Sequence, residues 1–191
     1  MIRAFIAVTL AKPVVEEIAK VRTLLQEPKG DIRWTRVEGL HLTLKFLGDI
    51  AQEQVGAILT TLRDIVQQRP PLRVVAQGLG AFPNLRRPRV LWVGLQGERI
   101  SELSEAIEAA LLPLDFLPEE REFTPHLTLG RVRSPKGWER VLPILKAHEQ
   151  TYFGESLIDH LTLYQSELRP DGATYTPLGV VSFQRGASPA H

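Results

Sequence analysis

The sequence predicts an α+β protein built mainly on antiparallel sheet. Three observations carry this. Short segments rich in Ile, Val, Leu and Phe alternate with period two, while longer segments repeat apolar residues at helical spacing. Several predicted strands follow one another with no helix between them, unlike a regular βαβ alternation. The 191 residues are 43% hydrophobic and 24% charged, enough for one substantial core and ordinary for a globular chain. No period of about 20–50 residues recurs, which excludes a solenoid.

In chain order, Ile2 to Thr9 alternates and reads as a strand. Pro13 suits a first helical turn, and Val14, Val15, Ile18, Val21, Leu24 and Leu25 follow with helical spacing. Gly30 ends that helix. Ile32 to Val37 and His41 to Leu47 read as strands, with a break at Gly48-Asp49. A helix from about Gln52 to Gln68 carries Val55, Ile58, Leu59, Leu62 and Ile65 on one face and ends at Pro70-Pro71. Strands are expected over Leu72 to Leu79 and Val90 to Leu95, then a helix bearing Ile100, Leu103, Ile107 and Leu111. Phe123 to Val132 reads as a strand, and Trp138 to Ala147 as a short helix interrupted by Pro143. Ser156 to Ser166 and Pro177 to Phe183 are late strands, and Gly186 to His191 is expected to be a loose tail.

Bulk chemistry narrows the function classes. With 23 basic and 22 acidic residues the formal net charge is +1, so any anion site must be local. There is no cysteine, which excludes disulfides, thiolate nucleophiles and zinc–cysteine sites and fits a reducing compartment. The apolar opening Met-Ile-Arg-Ala-Phe-Ile-Ala-Val is too short for a membrane span and lacks a small-residue cleavage pattern, and no other stretch approaches the ~18 apolar residues a span needs. A cytoplasmic protein without membrane contact is expected.

One tetrapeptide, His-Leu-Thr-Leu, occurs at 41–44, 126–129 and 160–163. In a strand its His and Thr share one face and its leucines the other, so the leucines can enter a core while His and Thr face a cleft. Two imidazoles near neutrality, one free and one protonated, can activate water on one side of a phosphorus atom and protonate the departing oxygen on the other. Threonine hydroxyls and an arginine can stabilise the charge that develops on the phosphoryl oxygens. That scheme requires no metal and no cofactor, and the acidic clusters that hold Mg²⁺ are not evident. Leu-Thr-Leu is also simply good strand sequence, and composition alone does not decide which two copies matter. Copy one is followed by Lys45 and copy two by Arg131 and Arg133, whereas copy three has no positive charge before Arg169. In an uninterrupted strand Arg131 would face away from His126; a bulge or turn near Gly130 would re-aim it.

With their context, these motifs resemble the 2H phosphoesterase superfamily, and within it the RNA 2',3'-cyclic phosphodiesterases historically called 2'-5' RNA ligases. The likeness rests on Arg33-Trp34-Thr35 ahead of Gly39-Leu40-His41-Leu42-Thr43-Leu44-Lys45-Phe46-Leu47-Gly48, and on Phe123-Thr124-Pro125-His126-Leu127-Thr128-Leu129-Gly130-Arg131. Arg3-Ala4-Phe5-Ile6-Ala7 and Arg89-Val90-Leu91-Trp92-Val93-Gly94 match too, so it extends from Met1 to about Phe183. The resemblance implies a bilobal fold: one domain over residues 1–191, with two related α+β lobes, one motif in each, and a cleft between their antiparallel sheets. It implies hydrolysis of 2',3'-cyclic phosphate ends of RNA or nucleotides to 2'-phosphates, with weak 2'-5' joining in reverse. His41 would be the proton donor to the leaving 3'-oxygen and His126 the proton acceptor that activates water. Thr43, Thr128 and Arg131 would bind the phosphate. His160 falls in a late strand that the resemblance gives no catalytic role. A monomer is expected.

Other residues are less determined. Phe46 is expected in the core, since it would alternate with its strand neighbours, while Trp34 is equally suited to packing and to stacking on a base. Arg86, Arg87 and Arg89 could guide an RNA tail or form a solvated loop. His148 and His191 read as surface residues. Competing functions are a two-histidine enzyme for small cyclic phosphates or 2'-5' linked oligonucleotides, an RNA-end binding module without turnover, and a metal site with His160 as third ligand.

Overall fold

The structure, a computed structural model, describes residues 1–170 and 172–184. It contains nine strands: β1 (Ile2–Val8), β2 (Ile32–Trp34), β3 (Leu42–Ile50), β4 (Leu72–Phe82), β5 (Val90–Gln96), β6 (His126–Val132), β7 (Tyr152–Ile158), β8 (His160–Arg169) and β9 (Gly172–Ser182). Four α-helices accompany them: α1 (Lys12–Gln26), α2 (Gln54–Gln67), α3 (Glu98–Leu111) and α4 (Trp138–Ala147). The strands form one sheet in the order β7-β4-β5-β6-β3-β1-β8-β9, with β2 paired to β6, and every pairing is antiparallel.

The sheet divides into two four-stranded lobes, β3-β1-β8-β9 and β7-β4-β5-β6. A single residue pair, Leu42↔Leu127, joins them. The helices bury one stripe each because their apolar residues recur every three or four positions: Val14, Ile18, Val21 and Leu25 in α1, and Ile58, Leu62, Ile65 and Val66 in α2. Helix α2 packs on β8 and β9, whereas α1 and α4 pack on β7 and β4. The buried side chains form one contiguous cluster through both lobes.

Several strand ends differ from the sequence expectation, and each difference has a local cause. The chain does not break at Gly48-Asp49. Strand β3 continues to Ile50 because Gly48 adopts φ +71°, which a glycine tolerates, and the register against β1 slips by one residue there. The segment from Ile32 stops pairing after Trp34 and turns through a 3₁₀ helix at Val37–Gly39. Pairing of β6 begins only at His126, after Pro125, which has no N–H to give to a ladder. The expected single strand from Ser156 to Ser166 is two strands, separated at Asp159, that belong to opposite lobes. Helix α4 runs through Pro143 without interruption. The expected loose tail, Gly186 to His191, lies outside the described residues.

Candidate active site

The seam between the lobes brings the first two His-Leu-Thr-Leu copies together. Leu42 and Leu127 are direct partners, so continuing the antiparallel register sets His41 opposite Thr128 and Thr43 opposite His126. All four leucines of the two copies are buried. By alternation the His and Thr side chains occupy the other face, where each is half-buried.

Both imidazoles are held in the same way. Nδ1 of His41 lies 2.7 Å from the Gly39 carbonyl, and Nδ1 of His126 lies 2.6 Å from the Thr124 carbonyl, two residues upstream in each case. A carbonyl can only accept, so Nδ1–H is the donor and Nε2 is left free at the far corner of each ring. Burial lowers the pKa of both imidazoles below the ordinary value of 6.5, and the backbone hydrogen bond partly offsets this. For His126 the nearby Arg131 cation lowers it further.

Rings back each histidine. Phe5 of β1 stacks on His41 at 4.8 Å between centroids, and Tyr175 of β9 meets it edge-on at 5.0 Å. Phe82 of β4 meets His126 edge-on at 4.9 Å and packs on Trp92. A cavity of about 310 Å³ opens beside His126, lined in part by Phe82, Trp92, Thr124 and Gln150.

Two bulges, one per lobe, decide which side chains join this face. In β6, Thr128 pairs Trp92, Gly130 pairs Leu91 and Arg131 pairs Val90, so Leu129 is skipped. Val90 and Trp92 share a face of β5; Thr128 and Arg131 therefore share it too, despite their odd separation. In β3, Thr43 pairs Ala7, Lys45 pairs Ile6 and Phe46 pairs Phe5, so Leu44 is skipped. The bulge turns Phe46 onto the face of Thr43 and His41, where it is 59% exposed and 6.1 Å from the Phe5 ring. Phe46 is thus not a core residue as its alternation suggested. Lys45, taken from sequence as positive charge near the first motif, points the other way. Its ammonium is buried against Glu108 at 2.5 Å and the Leu117 carbonyl at 2.8 Å.

The remaining candidates lie elsewhere. Trp34 pairs with Gly130 on the opposite face from Arg131 and has the Arg22 guanidinium 5.8 Å from its ring, which makes it a packing residue. The Arg86–Arg87 turn is held by the Asn84 side chain, which accepts from both backbone amides, and both arginines are exposed. His160 bonds Asp159 at 2.7 Å, with no contact to His41 or His126. His148 bonds the Ile144 carbonyl at the end of α4, and His191 lies outside the described residues. Among the described residues no three His, Asp or Glu side chains converge as metal ligands would, so His160 does not complete such a site. Tyr175 was not singled out from sequence. It comes from β9, far along the chain, and no motif surrounds it.

The 2'-5' RNA ligase superfamily model matches residues 10–170, spanning both motifs. The chain belongs to this superfamily. Among superfamily relatives, it is 31% identical over 180 residues to the RNA 2',3'-cyclic phosphodiesterase of Methanothermobacter thermautotrophicus, covering 94% of this chain and 97% of that one. It is 34% identical over 173 residues to the enzyme of the same description from Methanocaldococcus jannaschii, covering 91% and 96%. In structure it resembles TT0787 of Thermus thermophilus, with TM-score 0.83, 28% identity and coverage of 97% of this chain and 100% of that one. It also resembles E. coli LigT complexed with 3'-AMP, with TM-score 0.76, 26% identity and coverage of 96% and 99%. The α+β, bilobal expectation agrees with these neighbours. No described helix is long and apolar enough to cross a membrane.

Proposed function

We propose that this protein is an RNA 2',3'-cyclic phosphodiesterase, a hydrolase that opens terminal 2',3'-cyclic phosphates to 2'-phosphates by two-histidine acid–base catalysis. The observation that carries the mechanism is the pair of identical hydrogen bonds, Nδ1–H of His41 to Gly39 and Nδ1–H of His126 to Thr124, on either side of the Leu42↔Leu127 seam. As diagonal cross-strand neighbours, the backbones of the two histidines lie about 7–8 Å apart, near enough for both rings to address one phosphate. The names of the curated relatives support the substrate class.

The roles are those that the superfamily resemblance implies. Nε2 of His126 takes a proton from water as the water oxygen bonds to phosphorus. The P–O3' bond breaks, and O3' takes a proton from Nε2 of His41, leaving a 3'-hydroxyl and a 2'-phosphate. A base must start neutral, and the Arg131 cation beside His126 favours its neutral form. Among the described residues no cation depresses the His41 pKa, and its ring stacks on Phe5, so it is the ring left to carry the proton that O3' receives. Thr43, Thr128 and Arg131 bind the phosphoryl oxygens as charge accumulates on them. The cavity beside His126 admits the water, and the aromatic wall around His41, including exposed Phe46, takes the terminal base. Reversal, with a 5'-hydroxyl in place of water, gives a 2'-5' linkage. The enzyme acts in the cytoplasm as a monomer.

The test is an oligoribonucleotide ending in a 2',3'-cyclic phosphate, incubated with excess EDTA, with the product's phosphate position mapped by ³¹P NMR. A 2'-phosphate formed by the native chain and lost in both His41→Ala and His126→Ala is the expected result. A 3'-phosphate product, or equal loss in His160→Ala, would contradict it.

A further inference from the structure

The cleft carries more positive charge than one cyclic phosphate needs. Arg33 of β2 and Arg131 of β6 are direct cross-strand partners, so their side chains leave the sheet on the same face. The bulge at Leu129 makes this the face of Thr128. Like charges opposite one another in an antiparallel pair are destabilising. Both arginines are exposed, and among the described residues neither has a carboxylate partner.

Their place in the fold ties them to the proposed reaction centre. Strand β3 leaves the edge of β6 after Leu127, and β2 takes over that edge at Gly130–Val132. Arg33 therefore continues the seam beyond Thr128 and Arg131. Tyr175 links the two regions. Its ring touches His41, and its hydroxyl feels both the Arg131 and the Arg33 cations. A 2',3'-cyclic phosphate diester bears one negative charge, which Arg131 can meet alone. A second guanidinium one strand further on fits a second phosphate of the same chain.

We propose that Arg33 is the receptor for the phosphate on the 5' side of the terminal nucleotide, and that it selects RNA ends and 5'-phosphorylated nucleotides over cyclic nucleosides. This rests on the reading above that the cyclic phosphate lies between His41 and His126. A fork of guanidinium donors suits a phosphodiester, and adding one phosphate contact steepens the salt dependence of binding.

Two readouts test it. The first is turnover of adenosine 2',3'-cyclic phosphate with and without a 5'-phosphate. The native chain should favour the 5'-phosphorylated substrate about tenfold in kcat/KM at low salt, as one charge-assisted contact gives. In Arg33→Gln that ratio should fall to near one, Arg33→Lys should restore part of it, and Arg63→Gln on the exposed side of α2 should leave it intact. The second is calorimetric binding of adenosine 2'-phosphate against adenosine 2',5'-bisphosphate, which needs no turnover. The bisphosphate should bind more tightly, and Arg33→Gln should abolish that advantage and lower its log–log salt slope by about 0.7. Equal treatment of the paired ligands by the native chain, or a preference that survives in Arg33→Gln, would overturn the proposal. A native chain that hydrolyses neither substrate but keeps a bisphosphate advantage that Arg33→Gln abolishes would overturn the enzymatic reading and leave this subsite standing.

Discussion

The buried ion pair behind the first motif gives a prediction whose size follows from exposure alone. The side chain of Lys45 is 1% exposed, whereas that of its partner Glu108 is 18% exposed. Replacing Glu108 by Ala leaves an ammonium in the core with only the Leu117 carbonyl for company, at a cost of about 3–5 kcal/mol. Replacing Lys45 by Met puts an apolar stem of similar length in the same space, and Glu108 can turn to water. That substitution should cost about 1–2 kcal/mol, nearer the penalty for one imperfectly satisfied polar group. The double substitution Lys45→Met with Glu108→Leu should recover most of the loss. Urea unfolding of the four proteins followed by circular dichroism measures this directly. For a chain of this size about 3–5 kcal/mol corresponds to a fall in Tm of roughly 6–20 °C. A Glu108→Ala penalty equal to that of Lys45→Met, or below about 1 kcal/mol, would refute the reasoning. Since Lys45 also holds Leu117, in the chain between α3 and β6, Glu108→Ala should lower turnover at temperatures where the protein is still folded.

Four further outcomes follow. Burial holds both imidazoles below 6.5, so the bell-shaped kcat/KM profile of the coupled pair should be centred on the acid side of 6.5; a bell centred above it would contradict the assignment. The same shifts make the unfolded chain bind more protons than the folded one below pH 6.5, so the urea midpoint should rise with pH through that window and stop rising above it. Phe46→Ala, on the exposed aromatic wall, should raise KM for adenosine 2',3'-cyclic phosphate about fivefold to a hundredfold, the range for one stacked base, and leave KM for abasic ribose 2',3'-cyclic phosphate unchanged. Gly80→Ala should destabilise by about 1–3 kcal/mol in urea, because a methyl there would overlap the Trp92 ring and force it to move.

Much of the fold was readable because apolar spacing is a local signal. The helices follow Val14, Ile18, Val21 and Leu25, and then Ile58, Leu62 and Ile65, as their periodicity requires. What the sequence concealed was strand register. A period-two reading assumes no extra residue, and β3 and β6 each contain one within their motifs. The expectation that a bulge near Gly130 could turn Arg131 had a visible glycine behind it. The equivalent bulge at Leu44 has no such marker, which is why Phe46 was expected in the core. Tyr175 and the Arg33–Arg131 pair were hidden for a different reason: they meet only through long-range pairing of β9 with β8 and of β2 with β6. The three identical tetrapeptides were separated in the sequence only by neighbouring charge and by the superfamily resemblance, and strand pairing gives the physical difference. Two of them meet at the seam, and the third, at His160, starts a strand between β1 and β9.

The central claim is that two imidazoles address one phosphorus atom. A crystal structure of the native chain with adenosine 2'-phosphate bound tests it most directly. The account requires Nε2 of His126 within about 3.2 Å of a non-ester oxygen and Nε2 of His41 within the same reach of the 3'-hydroxyl of that nucleotide. A phosphate held by only one of the two rings, or bound away from the Leu42–Leu127 seam, would contradict it.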